Sequence, residues 1–197
     1  MLNDLIKTHV APLLRQHGYR KKEMTWNKTE DTYVRVIDFQ LSSYSDKKEE
    51  SFTINLGVYS PAIWRVCWRK DPPNFIKEDA CFPRFRVGQL FGGFSMDSTD
   101  HWWTCSEDTN LDELGIQIST VLENNCIPFV ESLLSYEKIN DFYSSLDTNL
   151  LPIEKVYLAI VRSFLGDSKG AMDLLSSVGS ISKAWATRVE IVESQLS

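Results

Sequence analysis

The sequence predicts an α+β fold, with an antiparallel sheet that is flanked by an N-terminal helix and followed by a C-terminal helical bundle. Two observations predict this class. In much of the chain before residue 107, apolar residues alternate with polar ones, which is the period of a β-strand. From Thr109 onward, apolar residues recur at the three- and four-residue spacing of helices. Strands followed by a run of helices are typical of α+β proteins.

The first predicted element is an amphipathic helix over residues 2–17. Its leucine, isoleucine and valine residues recur at helical spacing, and Gly18 ends it. Pro12 lies inside the helix and is expected to bend or split it. After Gly18 the period becomes two, so strands are predicted at 20–28 and 32–43.

The segment SFTINLGVYS, residues 51–60, gives the clearest strand pattern. Its apolar residues occupy alternate positions and face one way, while Thr53 and Asn55 face the other. We therefore expect a half-buried antiparallel strand. A short helix with proline at its first position is predicted over 61–70. Further strands are predicted over 82–90 and 100–106.

The second half of the chain is predicted to be helical. Asp108, Thr109 and Asn110 form a capping cluster at the start of the first of these helices. Further helices are predicted over 126–146, 152–165, 168–177 and 180–196. We expect an α+β domain over 1–147 and a C-terminal helical extension over 148–197 that packs on it.

Composition favours a folded protein that works inside the cell. The 197 residues are 43% hydrophobic and 24% charged, which is enough apolar material for a sizeable core. The N-terminus has no basic region followed by a continuous apolar run, so no signal peptide is expected. No two of the four cysteines have C-x-x-C spacing. We therefore expect a cytoplasmic protein with reduced thiols.

Five stretches of the chain occur in an order that a known family shares. They are HGYRKKEMTW, VRVIDFQLSSYS, FTINLGVY, RFRVGQLFGG and DHWWTC. Together with the opening amphipathic helix, they resemble the domain-of-unknown-function family 4304 over about residues 1–135. The resemblance implies one sheet flanked by helices in a small bacterial-type domain. It assigns no catalytic residues, because the family has no established activity.

No arrangement of residues predicts catalysis. Among the histidines, only His101 lies near a thiol, four residues before Cys105. Residues four apart in a strand stand about 13 Å apart, so no Cys-His dyad is expected. Asp97, Asp100 and His101 are candidate metal ligands, but short Asp/Ser/Thr clusters are more typical of turns. We expect no enzyme, no metal and no cofactor.

The stretch from Arg84 to Cys105 contains the most unusual pattern in the chain. Arg84 and Arg86 lie two residues apart, so in a strand they point the same way and are candidates for binding a phosphate or carboxylate. The alternative is that they face solvent or pair with an internal acid such as Asp100. Trp102 and Trp103 point to opposite faces of a strand, so one belongs to the core and the other is a candidate contact residue.

Charge is distributed unevenly along the chain. Residues 1–90 contain fifteen Lys/Arg and eleven Asp/Glu, whereas residues 91–197 contain six Lys/Arg and sixteen Asp/Glu. The segment from Val87 to Glu137 has no Lys or Arg. Its acids are Asp97, Asp100, Glu107, Asp108, Asp112, Glu113, Glu123, Glu131 and Glu137. Such a segment would attract a basic protein and would repel nucleic acid and anionic membranes.

These features favour a non-enzymatic binding protein that uses an acidic surface to neutralise a basic protein partner. An immunity protein or antitoxin that faces a basic toxin is the concrete form of this hypothesis. The predicted contact residues are Asp97, Asp100, Trp102, Trp103, Glu107, Asp108 and Asp112.

Two alternatives stay open at this point. One is a module for a small ligand or nucleic acid that uses the basic N-terminal half, with tryptophans as stacking platforms. Its residues are Arg20, Lys21, Lys22, Arg65, Arg69, Lys70, Arg84 and Arg86, with Trp26, Trp64 and Trp68. The other is an enzyme whose site the sequence does not reveal.

Overall fold

The computed structural model describes residues 1–96, 100–146 and 150–196, and it confirms the α+β fold. The chain divides into two compact units. The first comprises Met1–Val58 and Phe75–Ser132 and contains the sheet, whereas the second comprises Tyr59–Asn74 and Leu133–Ser197 and is built from helices. The domain boundary predicted between residues 147 and 148 stays a prediction.

The first unit is organised around one antiparallel sheet, which has six strands in the described ranges. They are β1 (Arg20–Lys22), β2 (Thr25–Glu30), β3 (Tyr33–Leu41), β4 (Glu49–Tyr59), β5 (Arg84–Arg86) and β6 (Trp103–Ser106). The first five strands follow one another across the sheet in chain order, and β6 also pairs with β4. Because β5 pairs with residues 55–57 of β4 and β6 with residues 49–52, the two short strands lie end to end along one edge of β4.

Two of the predicted strands differ from the observed ones. The predicted strand at 20–28 is a hairpin, because the chain turns at Glu23, which has the left-handed φ of 56°. The predicted strand at 82–90 is β5 followed by a 3₁₀ turn over Val87–Leu90. The side chain of Gln89 accepts a hydrogen bond from the backbone N–H of Arg86 and so stabilises this turn.

The N-terminal helix is continuous but changes its hydrogen bonding before the proline. It consists of α1 (Leu2–Leu5), a π-helical turn over Ile6–Val10 and α2 (Ala11–Gln16). Pro12 cannot donate a backbone hydrogen bond, and the wider turn before it accommodates this loss without a break. The predicted bend or split therefore takes the form of a π-helical turn.

The first helix after the sheet begins where the sequence predicts. The helix α4 (Leu111–Val121) starts at Asn110, whose side chain accepts hydrogen bonds from the backbone N–H groups of Asp112 and Glu113. A second π-helical turn, Leu122–Cys126, joins it to α5 (Ile127–Glu131). The ring of Phe85 on β5 lies edge-on to that of Phe129 on α5, with centroids 5.0 Å apart. One face of the sheet is therefore covered by helices.

The opposite face of β4 is also buried, so the prediction of a half-buried strand is wrong. Thr53 is 0% exposed and Asn55 is 4% exposed. Residues 76–81 cross this face of the sheet beside Asn27, Asn55 and Gly57 and contribute to its burial. The side-chain amide of Asn27 donates to the backbone carbonyl of Ile76 at 2.9 Å and accepts from its N–H at 2.8 Å, which fixes the crossing segment to the sheet.

The second unit is a helical bundle that receives one helix from the middle of the chain. Its helices are α3 (Pro61–Trp68), α6 (Tyr136–Ser144), α7 (Pro152–Phe164), α8 (Ser168–Gly179) and α9 (Lys183–Leu196). Trp68 of α3 donates to the hydroxyl of Tyr157 on α7 at 2.9 Å. Arg188 of α9 lies 4.2 Å from the centroid of the Trp68 ring and donates to the carbonyl of Cys67. The helix predicted over 126–146 is interrupted before Ser135, which caps α6.

All four cysteines are buried and none forms a disulfide. Burial raises the pKa of Cys67 to about 12 and also raises the pKa of Cys81. The thiolate, which is the reactive form, is therefore disfavoured in the folded protein. None of the helices in the described residues combines the length and the hydropathy that a membrane span requires.

Gly57 of β4 leaves space for the crossing segment, and replacing it with alanine tests that packing. A Cβ atom at this position would lie 2.5 Å from the Cβ of Cys81 and 2.7 Å from its Sγ. We expect Gly57→Ala to lower the free energy of unfolding by about 1–3 kcal/mol, because the site has no room for a methyl group. Urea unfolding followed by circular dichroism measures the change.

Gly179→Ala in α8 is the matched control for this substitution. The nearest heavy atoms to a Cβ at residue 179 are 3.8 Å away, which is ordinary contact, and alanine favours a helix. The control should be neutral or stabilising. Equal stability of Gly57→Ala and the wild type would show that residues 76–81 do not pack on β4 as described.

Candidate functional site

The face of the sheet that is not covered by helices carries a row of polar side chains, which we name the polar face. Thr25 of β2 pairs with Asp38 of β3, and Asn55 of β4 pairs with Arg86 of β5. Gln40 lies on the same face as Asp38, because side chains alternate along a strand. These five residues come from four neighbouring strands and define the polar face.

Asp38 is at the centre of a hydrogen-bond network on the polar face. Its Oδ1 accepts from the hydroxyl of Thr25 at 2.6 Å, and its Oδ2 accepts from the side-chain amide of Asn55 at 3.4 Å. The amide of Asn55 also donates to Gln40 at 2.9 Å. Thr25 and Asn55 are both buried, so they hold the half-buried carboxylate in one orientation.

Two adjoining clefts open onto the polar face. The Asp38 cleft has a volume of about 380 Å³ and is lined by Glu23, Met24, Thr25, Asp38, Gln40, Asn55, Lys77, Glu78 and Asp79. The Trp102 cleft has a volume of about 600 Å³ and is lined by Gln40, Leu41, Ser42, Ser43, Tyr44, Ser51 and Trp102. Gln40 lines both clefts, which makes them neighbours on the sheet.

Electrostatics in the Asp38 cleft favour a positive ligand. Burial raises the pKa of the Glu78 carboxyl above its ordinary value of 4.5. The charges of Asp38 and Asp79 raise this pKa further, whereas those of Arg84 and Arg86 lower it. Acidic side chains therefore lie close enough to repel one another, and a cation in the cleft would relieve that repulsion.

Arg84 and Arg86 each pair with an acid of the same chain. Arg84 lies 3.6 Å from the carboxylate of Glu78, and Arg86 donates to the carboxylate of Asp100. Both arginines lie on the polar face and point the same way, as predicted. The pairing with Asp100 is the alternative that the sequence left open, and it reduces the positive charge that an anion would meet.

The two adjacent tryptophans have different environments, as their alternation predicts. Trp103 is 5% exposed and stacks on Phe52, with centroids 5.8 Å apart. Trp102 is 36% exposed, and the guanidinium of Arg86 lies 5.9 Å from its ring centroid. Trp103 therefore belongs to the core, and Trp102 is the member of the pair that a partner can reach.

The other predicted contact acids gather between β6 and α4, in a surface that we name the acidic turn. It consists of the predicted contact acids Glu107, Asp108 and Asp112 together with Glu113, and all four are exposed. The hydroxyl of Thr109 accepts from the backbone N–H of Ser106 at 2.8 Å and closes the turn. Because Asn110 caps α4, the carboxylates of its first turn project at the same end of the helix.

One basic group contacts the acidic turn within the described residues. The Nε2 atom of His9 lies 3.0 Å from the Oδ1 atom of Asp112, whose side chain is 84% exposed. The ring of His9 fits over Gly115, where a Cβ atom would lie 2.3 Å from the ring. Glu107 and Asp108 form no ion pair in the described structure, so their charge faces solvent.

The structure separates the remaining predicted residues from the acidic turn. Trp102 lines a cleft with Gln40 and Ser51, and the extended strand β6, which is about 13 Å long, lies between it and the acidic turn. Asp100 pairs with Arg86 beside Trp102. Asp97 lies outside the described residues. Asp100 and Trp102 thus belong with the polar face, whereas Glu107, Asp108 and Asp112 form a separate surface.

Neither the candidate metal ligands nor a pairing of His101 with Cys105 is supported by the geometry of the described residues. No group of three or more His, Cys, Asp or Glu is placed to hold a metal ion there. The ring of His101 instead packs against Phe91 and Trp103, with centroids 4.9 and 4.5 Å apart. The thiol of Cys105 is buried in the sheet.

The basic residues of the alternative hypothesis belong to two compact units. Arg65, Arg69 and Lys70 lie on or beside α3 in the second unit, together with Trp64 and Trp68. The basic strand β1 and Trp26 belong to the first unit. Trp26 is completely buried, so its ring is not available as a stacking platform.

Sequence reasoning missed the central residues of the polar face. Thr25, Asp38, Gln40 and Glu78 were not predicted as site residues, and Asn55 was placed only on the polar side of a strand. One available signal was the series of polar residues at alternate positions in otherwise apolar strands. The strand register and the crossing segment that bring these residues together arise only from tertiary packing.

Comparison with known proteins identifies a family. The family described as "Domain of unknown function (DUF4304)" matches residues 10–132, which is more than half of the chain. Neither the curated proteins nor the solved structures contain a match. The matched segment includes the entire sheet and both clefts of the polar face.

Substitution of Trp102 and of Trp103 tests whether the two rings lie in different environments. We expect Trp103→Ala to lower the free energy of unfolding by about 3–5 kcal/mol, because it removes a large buried ring. Trp102→Ala should cost less than about 1 kcal/mol, since it removes one exposed ring and one cation–π contact. Urea unfolding of both variants measures the difference. Similar losses in the two variants would contradict the assignment.

The raised pKa of Glu78 predicts a pH-dependent effect on stability. Because the folded state binds this proton more tightly than the unfolded state, the group destabilises the fold as pH rises above 4.5. We therefore expect the stability of Glu78→Gln, relative to the wild type, to increase from about pH 4 to about pH 7. Urea unfolding at a series of pH values measures this change.

Glu137→Gln is a control with the opposite sign. Hydrogen bonds from its own backbone N–H and from Ser135 lower the pKa of Glu137. This carboxylate stabilises the folded state above its unfolded pKa, so the variant should lose relative stability over the same range. A decrease in the relative stability of Glu78→Gln over this range, of the kind expected for Glu137→Gln, would contradict the electrostatic description of the Asp38 cleft.

Proposed function

Because the chain belongs to the domain-of-unknown-function family 4304, whose description gives no activity, we propose a function from its surface: a non-enzymatic binding protein that neutralises a basic protein partner. The concrete form that we propose is an inhibitor of the immunity or antitoxin type, in which the acidic surface covers a basic toxin. In this proposal, exposed carboxylates of the protein recognise basic side chains of the partner.

The observation that carries the proposal is the acidic turn. Its four carboxylates are exposed within seven residues of sequence, and the histidine ring beside Asp112 is their one basic contact in the described structure. Two of these acids occupy the first turn of α4, where the helix dipole also favours negative charge. Stability of the helix accounts for these two. It does not account for Glu107 and Asp108, which precede the helix.

An acidic surface of this kind acts mainly on the rate and specificity of association. Complementary charge steers a basic partner toward the surface before contact and disfavours acidic partners. Exposed charges separated by more than about 8–10 Å are screened at physiological salt, so binding should weaken as salt is added. Trp102 supports the proposal as a second contact, because exposed tryptophans often contribute strongly to protein interfaces.

Reversal of the charge of the acidic turn tests the proposal. The variant Glu107→Lys/Asp108→Lys/Asp112→Lys replaces three carboxylates with three amines. We expect the wild type to retain a basic protein from a lysate of its source organism at low salt. The purified partner should bind the variant at least about tenfold more weakly, since like charges then face each other. Mass spectrometry identifies the partner, and titration calorimetry measures the affinity.

A matched control reverses three exposed acids of the second unit. The variant Asp141→Lys/Asp173→Lys/Glu190→Lys changes the net charge of the chain by the same amount. It should bind the partner as the wild type does, and urea unfolding should show that both variants are folded. Equal loss of binding in both variants would mean that the net charge of the chain determines binding. It would contradict recognition by a specific surface. Retention of no basic protein by the wild type would contradict the function itself.

A further inference from the structure

We infer that the Asp38 cleft of the polar face binds a lysine or arginine side chain of the basic partner. The inference rests on the proposed function, because it assigns part of the recognition to a second place on the same unit. It is argued from the charge of the cleft, the fixed orientation of its central carboxylate and the neighbouring aromatic surface.

The charge of the cleft selects a cation. Four of its lining residues are acids and one is a lysine. That lysine, Lys77, is 70% exposed and lies 4.0 Å from Glu23 at the rim. No ion pair reaches Asp38 from any basic side chain in the described residues. The central carboxylate is therefore held by neutral donors alone and retains lone pairs for a charged donor.

Asp38 is held in place before a ligand arrives. The hydroxyl of Thr25 and the amide of Asn55 contact one carboxylate oxygen each, and both donors are more than nine-tenths buried. A carboxylate that is already oriented loses little conformational freedom when it binds. Thr25 and Asn55 belong to strands of the sheet, and a site whose residues lie on strands has a more defined geometry than one on a loop.

The Trp102 cleft suits the apolar part of such a side chain. Lysine and arginine carry their charge on an aliphatic stem, which packs favourably on aromatic rings. Trp102 is partly exposed and Tyr44 is 96% exposed, so both rings are accessible. An extended segment of the partner that places its cation at Asp38 reaches these rings across Gln40, which lines both clefts.

The nearby arginines do not convert the cleft into an anion site. Arg84 pairs with Glu78, and Arg86 pairs with Asp100 while lying over Trp102. Their charges are offset by acids of the same chain. Asp38, by contrast, has neutral hydrogen-bond donors but no ion pair in the described structure. We therefore assign a cationic rather than an anionic side chain to the cleft.

A pair of small probes tests the cleft without the partner. The probes are N-acetyl-arginine amide and N-acetyl-citrulline amide, which have nearly the same shape but differ in charge. In an NMR titration of the full chain, the arginine probe should shift the signals of Thr25, Asp38 and Asn55 and the indole signal of Trp102. The citrulline probe should bind at least about tenfold more weakly, since it lacks the charge-assisted hydrogen bond.

Substitutions locate the binding and separate it from the acidic turn. Asp38→Asn should weaken binding of the arginine probe at least about tenfold. Glu78→Gln, which keeps the shape of a second lining residue, should weaken it several-fold and provides a test if Asp38→Asn does not fold. The charge-reversed acidic turn should bind the probe as the wild type does. Equal binding of the two probes, or unchanged binding by both cleft variants, would overturn the inference.

The outcomes distinguish this inference from the function on which it rests. If the basic partner binds Asp38→Asn as tightly as the wild type but binds the charge-reversed acidic turn weakly, the inference fails and the proposed function stands. If the arginine probe binds the cleft but the wild type retains no basic protein, the proposed function fails. If both Asp38→Asn and the charge-reversed acidic turn bind the partner more weakly than the wild type, the inference and the proposed function are both supported.

Discussion

Strand β4 is the constraint on which the rest of the first unit depends. It pairs with β3 along one edge, and its other edge is shared by β5 and β6, which lie end to end. Buried residues also occupy both of its faces. A strand enclosed in this way can accept neither a shift in register nor a large side chain at Gly57. Its position therefore fixes which residues of β2, β3 and β5 meet on the polar face.

The enclosure of β4 has an energetic consequence that connects the fold with the candidate site. Thr25, Asn27, Thr53 and Asn55 are buried on one face, and burial of a polar group costs free energy unless it forms hydrogen bonds. Asn27 meets this requirement with the backbone of Ile76, and Thr25 and Asn55 meet it with Asp38. The network that stabilises the face is thus the same network that orients the central carboxylate of the cleft.

Much of this arrangement could be predicted from the sequence, because it depends on local periodicity. Alternation in SFTINLGVYS indicated β4, the polar cluster before α4 indicated its cap, and two adjacent tryptophans indicated one buried and one exposed ring. The burial of Asn55 could not be predicted in this way, since residues 77–79 lie beside it from a distant part of the chain. The hairpin at Glu23 was missed because neither residue of the turn is a glycine, asparagine or aspartate.

The chain order of the second unit has a consequence for the family to which this protein belongs. The matched segment ends at residue 132, yet it contains α3, which packs against α7 and α9 from beyond that point. A chain cut at the family boundary would leave the apolar side of α3, including Ile63 and Trp68, without these neighbours. Exposed apolar surface of this kind promotes self-association. The segment that matches the family therefore does not include two of the helices that cover α3, and a chain that ended at residue 132 would need another cover for α3 to avoid self-association.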